Sequence, residues 1–197
     1  MQESEAQDLR RPVVYLAGPD VFLPDAVAQA ENRKLICRRH GLCGVSPFDS
    51  PPGIPPEWQA LPEWRRIFLA NEAHIRRADA VIANLTPFRG PSADAGTVYE
   101  VGLARGLGRL VFGYSATTAG FTDRSHAVWG PTRRDTNGMW RDRDGLSVED
   151  FDLFDNLMIV GGLSVPLVAD EVPAAARWTD LSVFERCVVA AARVLGA

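Results

Sequence analysis

The side chain whose surroundings ask most plainly for chemistry is Glu100. It stands in Gly96-Thr97-Val98-Tyr99-Glu100-Val101-Gly102-Leu103-Ala104, a run otherwise small and largely apolar. A carboxylate there must be paired, hydrogen-bonded or turned toward a cleft, because an unpaired buried charge is costly. Perturbed carboxylates mark functional sites only statistically, so these residues alone leave a functional and a structural Glu100 equally open. Asp94 precedes the same helix and reads as an N-cap or first-turn acid as well as a ligand group. Other chemistries fit less well. Lys34 is the only lysine, against twenty arginines, and it falls in what reads as a surface helix. Imine and phosphate-loop chemistry therefore have no obvious lysine. Gly102, Gly106 and Gly108 have the wrong order and spacing for a dinucleotide fingerprint and follow the helix instead of opening it. Gly113-Tyr114-Ser115-Ala116-Thr117 lacks the closing glycine of a nucleophile elbow. Cys37-x-x-His40-x-x-Cys43 offers three metal-ligand types but straddles a helix end and lacks a fourth, so it reads better as buried thiols beside a capping histidine. His74 and His126 have no partner at metal or triad spacing and read as surface or loop residues.

The elements that would position these carboxylates follow from apolar patterning. Val13 to Ala17, ended by Gly18-Pro19, reads as a buried strand. Asp25 to His40 reads as a helix with Gly41 as its stop. Cys43 to Ser46 is a second, weaker strand. Residues 47–62 carry six prolines and read as a loop. Glu63 to Arg77 is a helix, and Asp79 to Leu85 a fully buried parallel strand. A loop over Thr86 to Ala95 leads to a helix from about Gly96 to Arg105. Leu110 to Tyr114 is a fourth strand. Residues 115–147 are polar and aperiodic, and read as one long loop insertion holding Trp129 and Trp140. Val148 to Ile159 reads as a short helix, Val165 to Val168 as a fifth strand and Leu181 to Leu195 as a closing helix. The alternation predicts a single α/β domain over residues 12–197. Its architecture is doubly wound, flavodoxin-like or Rossmann-like, on a parallel sheet of about five strands. Residues 1–11 read as a loose tail.

Bulk properties narrow the function. The chain has 197 residues, 46% hydrophobic and 23% charged, with net charge -4. That suits one globular domain and gives no basic face for nucleic acid. The acidic first residues are no signal peptide. The longest apolar stretch, Leu157 to Ala169, is interrupted by Gly161, Gly162, Ser164 and Pro166, so no membrane span is expected. Three cysteines argue for a reducing compartment without a disulfide framework, hence a cytoplasmic location.

Four segments together resemble the nucleoside 2-deoxyribosyltransferase family. They are Tyr15-Leu16-Ala17-Gly18-Pro19-Asp20-Val21-Phe22; Asn71 with Ile75, Ala78 and Asp79; the stretch from Asn84 to Gly102; and Leu146 to Phe151 followed by Asn156-Leu157-Met158-Ile159. The resemblance implies roles. Glu100 matches the nucleophile, and Tyr15 the tyrosine that holds it. Asp94 and Asn156 match residues binding the sugar 5′-hydroxyl, with Asn156 supplied by a neighbouring subunit. Asn71 matches a position near the base that is often aspartate in relatives. Gly18, Phe22 and the loop at Phe48-Asp49 fall on the substrate side. No cofactor or metal is implied. The partners implied are deoxynucleosides, free nucleobases and further copies of the chain, as at least a dimer with shared sites.

The chemistry is coherent. A carboxylate attacks C1′ as the base departs, and a second base attacks the glycosyl-enzyme, giving net retention. Two rivals belong beside it. One is an N-glycoside hydrolase of nucleosides or nucleoside 5′-monophosphates. Asp94 opposes the phosphate form, since two like charges 4 Å apart repel by roughly 4 kcal/mol at intermediate dielectric. The other is a non-catalytic nucleoside-binding module on the same fold.

Overall fold

The computed structural model describes residues 11–130 and 132–197. The expected loose tail therefore lies, apart from Arg11, outside the described residues. Five strands form one parallel sheet: β1 (Val13–Ala17), β2 (Cys43–Val45), β3 (Ala80–Asn84), β4 (Leu110–Ser115) and β7 (Val168–Ala169), in the order β2-β1-β3-β4-β7. The register pairs Tyr15 with Val81 and Ile82 with Phe112. This is the flavodoxin-like order, which reverses direction between β1 and β3. Ligands in such sheets bind beyond the carboxyl ends of the strands at that reversal.

Side chains alternate across the central strands. Val14, Leu16, Ile82 and Phe112 face one side, where Ile36 and Cys37 of α1 (Ala26–Arg39) and Phe184 and Val188 of α6 (Ser182–Leu195) cover them. Tyr15, Ala17, Val81 and Val111 face the other. There Ile75 of α2 (Glu63–Arg77) and Val101 and Ala104 of α3 (Ala95–Gly106) close the core. Among the described residues no helix is long and apolar enough to cross a membrane.

The proline-rich loop holds one short 3₁₀ turn, Pro56–Ala60, and a second 3₁₀ turn, Pro19–Phe22, follows β1. Three expectations change. The segment 115–147 is not structureless: it contains α4 (Phe121–Trp129) and a two-stranded hairpin of β5 (Arg133–Arg134) and β6 (Trp140–Arg141). The helix expected over Val148 to Ile159 shrinks to α5 (Leu157–Val160), because Asp152 takes a left-handed φ of 55° and Asn156 caps the helix late. The fifth strand starts after Pro166, which has no N–H to give a ladder, and pairs only Val168 and Ala169 with β4.

Candidate active site

Alternation along β1 turns Tyr15 toward α3, and there its hydroxyl donates to Glu100 Oε1 at 2.7 Å. Tyr15 is fully buried, and burial, then the Glu100 charge, pushes its hydroxyl far up the pH scale. It stays a proton donor to the carboxylate. Burial also pushes the Glu100 carboxyl up to about 7; the Asp94 charge adds to this and the Tyr15 hydrogen bond opposes it. A strand and a helix from distant parts of the sequence thus hold one carboxylate in a fixed direction, poised between its two protonation states.

His74 ties two of the residues singled out above to this pair, since it stacks on Tyr15, holds the Asp49 carbonyl and follows Asn71 by one helical turn. Asn71 lies on the sheet-facing side of α2 with His74 and Ile75, and its Oδ1 is buried without a hydrogen-bond partner. His74 is not a surface residue. It is buried, stacks on the Tyr15 ring at 6.2 Å and pairs through Nε2 with the Asp49 carbonyl at 2.9 Å. The apolar face of α2 carries it inward. The Asp49 side chain is itself occupied: Oδ1 takes Lys34 Nζ at 2.7 Å and Oδ2 takes the Ser46 N–H at 2.8 Å. Those donors hold the Asp49 carboxyl below its ordinary value. Lys34, on what reads from sequence as a surface helix, is only 11% exposed and also pairs with Glu31 at 2.5 Å. Asp49 thus anchors the loop after β2, between α1 and His74.

At the strand ends, Gly18 leaves room for a buried cluster. Asp20 accepts from Arg33 at 2.7 Å and from Asn84 Nδ2 at 3.0 Å. Neither Asp20, Arg33 nor Asn84 was singled out for this role. Asp20 and Asn84 lie inside the recognised segments, whereas Arg33 carries no signal within its helix. Phe22 is 55% exposed and stacks on Phe88 at 5.5 Å, with the Arg89 guanidinium 5.0 Å from one ring and 4.7 Å from the other. Trp178 meets Phe88 edge-on.

Asp94 caps α3, accepting from the Thr97 N–H at 3.0 Å and the Thr97 hydroxyl at 3.2 Å through Oδ2. The capping and ligand readings are compatible, because a carboxylate has two oxygens. Asn156 caps α5 and donates to Glu149 at 2.5 Å. It lines a cleft with Val98, Val101, Gly102 and Arg105. At 100° per residue those α3 positions lie about 100–160° around the helix from Glu100.

The residue just before it, Asp155, is fully buried. It holds Ser92, Ala93 and the Asn156 N–H, with Arg124 nearby. Sequence reasoning missed both Asp155 and Arg124. Trp129 packs on Phe121, and Trp140 on His126 and Arg134, so both rings are used within the segment that carries them.

Among the described residues no cluster could hold a metal ion. His40 ends α1 and pairs with Glu185 at 2.9 Å, and Cys37 is buried.

A family model described as nucleoside 2-deoxyribosyltransferase matches residues 14–158. A 2-desoxiribosyltransferase from Leishmania mexicana superposes with a TM-score of 0.59 at 28% identity, over 86% of this chain and 96% of that one. A conserved protein from Enterococcus faecalis V583, 16% identical with a TM-score of 0.52, covers 93% of this chain and 98% of its own and shares the fold. The uncharacterised protein C191.05c of Schizosaccharomyces pombe is 29% identical over 167 residues, 80% of this chain and 79% of that protein.

Proposed function

The chain belongs to the nucleoside 2-deoxyribosyltransferase family, and from that premise we propose that it moves a 2-deoxyribosyl group between nucleobases through a glycosyl-Glu100 intermediate. The observation that carries the reading is the Tyr15–Glu100 pair, a half-buried carboxylate fixed by one hydroxyl at 2.7 Å. With Oε1 held by Tyr15, Oε2 is the oxygen that attacks C1′. The C1′–N bond breaks, its electron pair leaves with the base, and the base takes up a proton. A second base then attacks C1′, the C1′–Oε2 bond returns its electrons to Glu100, and the incoming base loses its proton. The two inversions give retention. Without a 2-hydroxyl to withdraw electrons, the oxocarbenium-like transition state is easier to reach.

In this reading Asp94 accepts from the sugar 5′-hydroxyl through the oxygen not used for capping. Asn71, with its unpartnered amide oxygen, faces the base, and Gly18 and Phe22 line the approach. Asn156 serves the same 5′ position in a neighbouring copy, which its place in an open cleft against Val98, Gly102 and Arg105 supports. The Asp49 side chain, already paired with Lys34 and Ser46, acts by holding its loop.

The deciding experiment incubates the protein with a panel of 2′-deoxynucleosides and free bases, followed by chromatography. It is paired with mass spectrometry of the acid-quenched protein with a deoxynucleoside alone. New nucleosides and a deoxyribosyl adduct on Glu100 are expected. Release of free sugar with no new nucleoside in any combination overturns transfer in favour of hydrolysis. Ligand binding without turnover overturns both.

A further inference from the structure

We infer that Asp155, together with Arg124, is a positioning residue for the 5′ side of the sugar site. The inference rests on the assignment of Asp94 to the 5′-hydroxyl. Asp155 lies in an irregular stretch with no sequence signal, yet its side chain is fully buried. Its Oδ1 accepts from the Ser92 hydroxyl at 2.5 Å and from the Asn156 N–H at 2.7 Å. Its Oδ2 accepts from the Ala93 N–H at 3.0 Å and lies 3.6 Å from the Arg124 guanidinium. Arg124 in turn donates to the carbonyls of Pro91 at 2.7 Å and Phe154 at 2.6 Å, and to that of Ala119. The three residues before Asp94 are therefore gripped one after another: Pro91 by Arg124, then Ser92 and Ala93 by Asp155.

A buried carboxylate is tolerated only when its oxygens are well supplied with donors, and this one takes its donors from the segment that leads into Asp94 and from Asn156. Ala93 adjoins Asp94, and Asn156 follows Asp155 directly. One carboxylate thus sets the backbone that presents both groups assigned to the 5′-hydroxyl, while touching no substrate itself. Arg124 belongs to α4, so the segment inserted after β4 is built into the support of the site.

The test separates positioning from general stability. An amide at 155 would have to aim an N–H₂ at one of the existing donors, so Asp155→Asn loosens the loop. Ser92→Ala, on a half-exposed residue, removes a single bond and keeps the question open should the first variant fail to fold. Each variant is first checked by circular dichroism and thermal unfolding. It is then assayed with 2′-deoxyadenosine and 2′,5′-dideoxyadenosine, or with thymidine and its 5′-deoxy counterpart if pyrimidines are preferred. The unaltered protein is expected to favour the substrate bearing the 5′-hydroxyl in kcat/KM. Since displacements of about an ångström can cost up to about 100-fold, each folded variant should lose about tenfold of that preference, with the 5′-deoxy substrate changed by less than about twofold. Equal losses on both substrates overturn the inference and make the cluster a stability device. So does an unchanged preference in a folded variant. An unaltered protein indifferent to the 5′-hydroxyl overturns the Asp94 assignment and the inference with it. That result is seen before any substitution is made.

Discussion

A carboxyl held near pH 7 by burial has two consequences that differ in sign. For chemistry the ionised form is the nucleophile, so kcat/KM should climb with pH through about 7 and level off above it. For stability, the folded chain keeps a proton on Glu100 between the ordinary value of 4.5 and about 7, where the unfolded chain has lost it. The contribution of this residue to stability therefore falls as pH rises through that window. Glu100→Gln keeps the shape and the Tyr15 contact while removing both effects. Exchange should drop by at least about 1,000-fold, as for removal of other nucleophiles. Thermal unfolding at pH 5 and pH 8 should show the variant gaining on the parent at the higher pH by a few degrees. Parallel unfolding curves at the two pH values would contradict a raised carboxyl. Glu100 was legible because a charge stands out in an apolar run. Asp155 was not, since it follows Glu149, Asp150 and Asp152, and an acidic stretch looks the same in sequence whether its members face water or a buried donor. His74 was misread for a related reason: its partners are a ring and a backbone carbonyl, and neither has a spacing.

The strand ends show how little slack the elements leave. A Cβ on Gly18 would stand 2.5 Å from Asp20 Oδ2 and 2.8 Å from Asn84 Cβ. The backbone there is extended, with φ 162°, so the constraint is space. Asp20 cannot retreat while Arg33 and Asn84 hold it. Gly18→Ala should cost about 1–3 kcal/mol by overpacking, or about 2–4 °C in Tm per kcal/mol for a chain of this size. It should also lower kcat/KM, because the proposed reading puts the turn after β1 on the substrate side. An unchanged Tm measured by calorimetry would mean that the cluster gives way. Elements with continuous apolar runs, such as β1 and β3, were read to within a residue or two. α4 was not, because much of what ties it down is a guanidinium on main-chain carbonyls, and its buried residues, Phe121 and Ser125, make no apolar stripe to count.

At the scale of the molecule, strand and helix alternation was enough to predict the doubly wound sheet, while the order of its strands came from the structure. The proposed supply of Asn156 to a neighbouring copy's site makes a specific demand on assembly. If sites are shared, Glu100→Ala and Asn156→Ala chains, each inactive alone, should together restore about a quarter of parental activity on statistical mixing in a two-fold dimer. Co-expression followed by assay reads this directly, and no recovery over the two separate variants excludes the shared site. Sedimentation should show at least a dimer at assay concentration. The means of detecting that assembly has to suit the chain. Its one lysine is locked between Asp49 and Glu31, and those acids raise its pKa and keep it protonated. Amine-directed cross-linkers would find no reactive lysine to join one copy to another. A single band on a denaturing gel after such treatment would follow from the occupied Lys34 as readily as from a monomer.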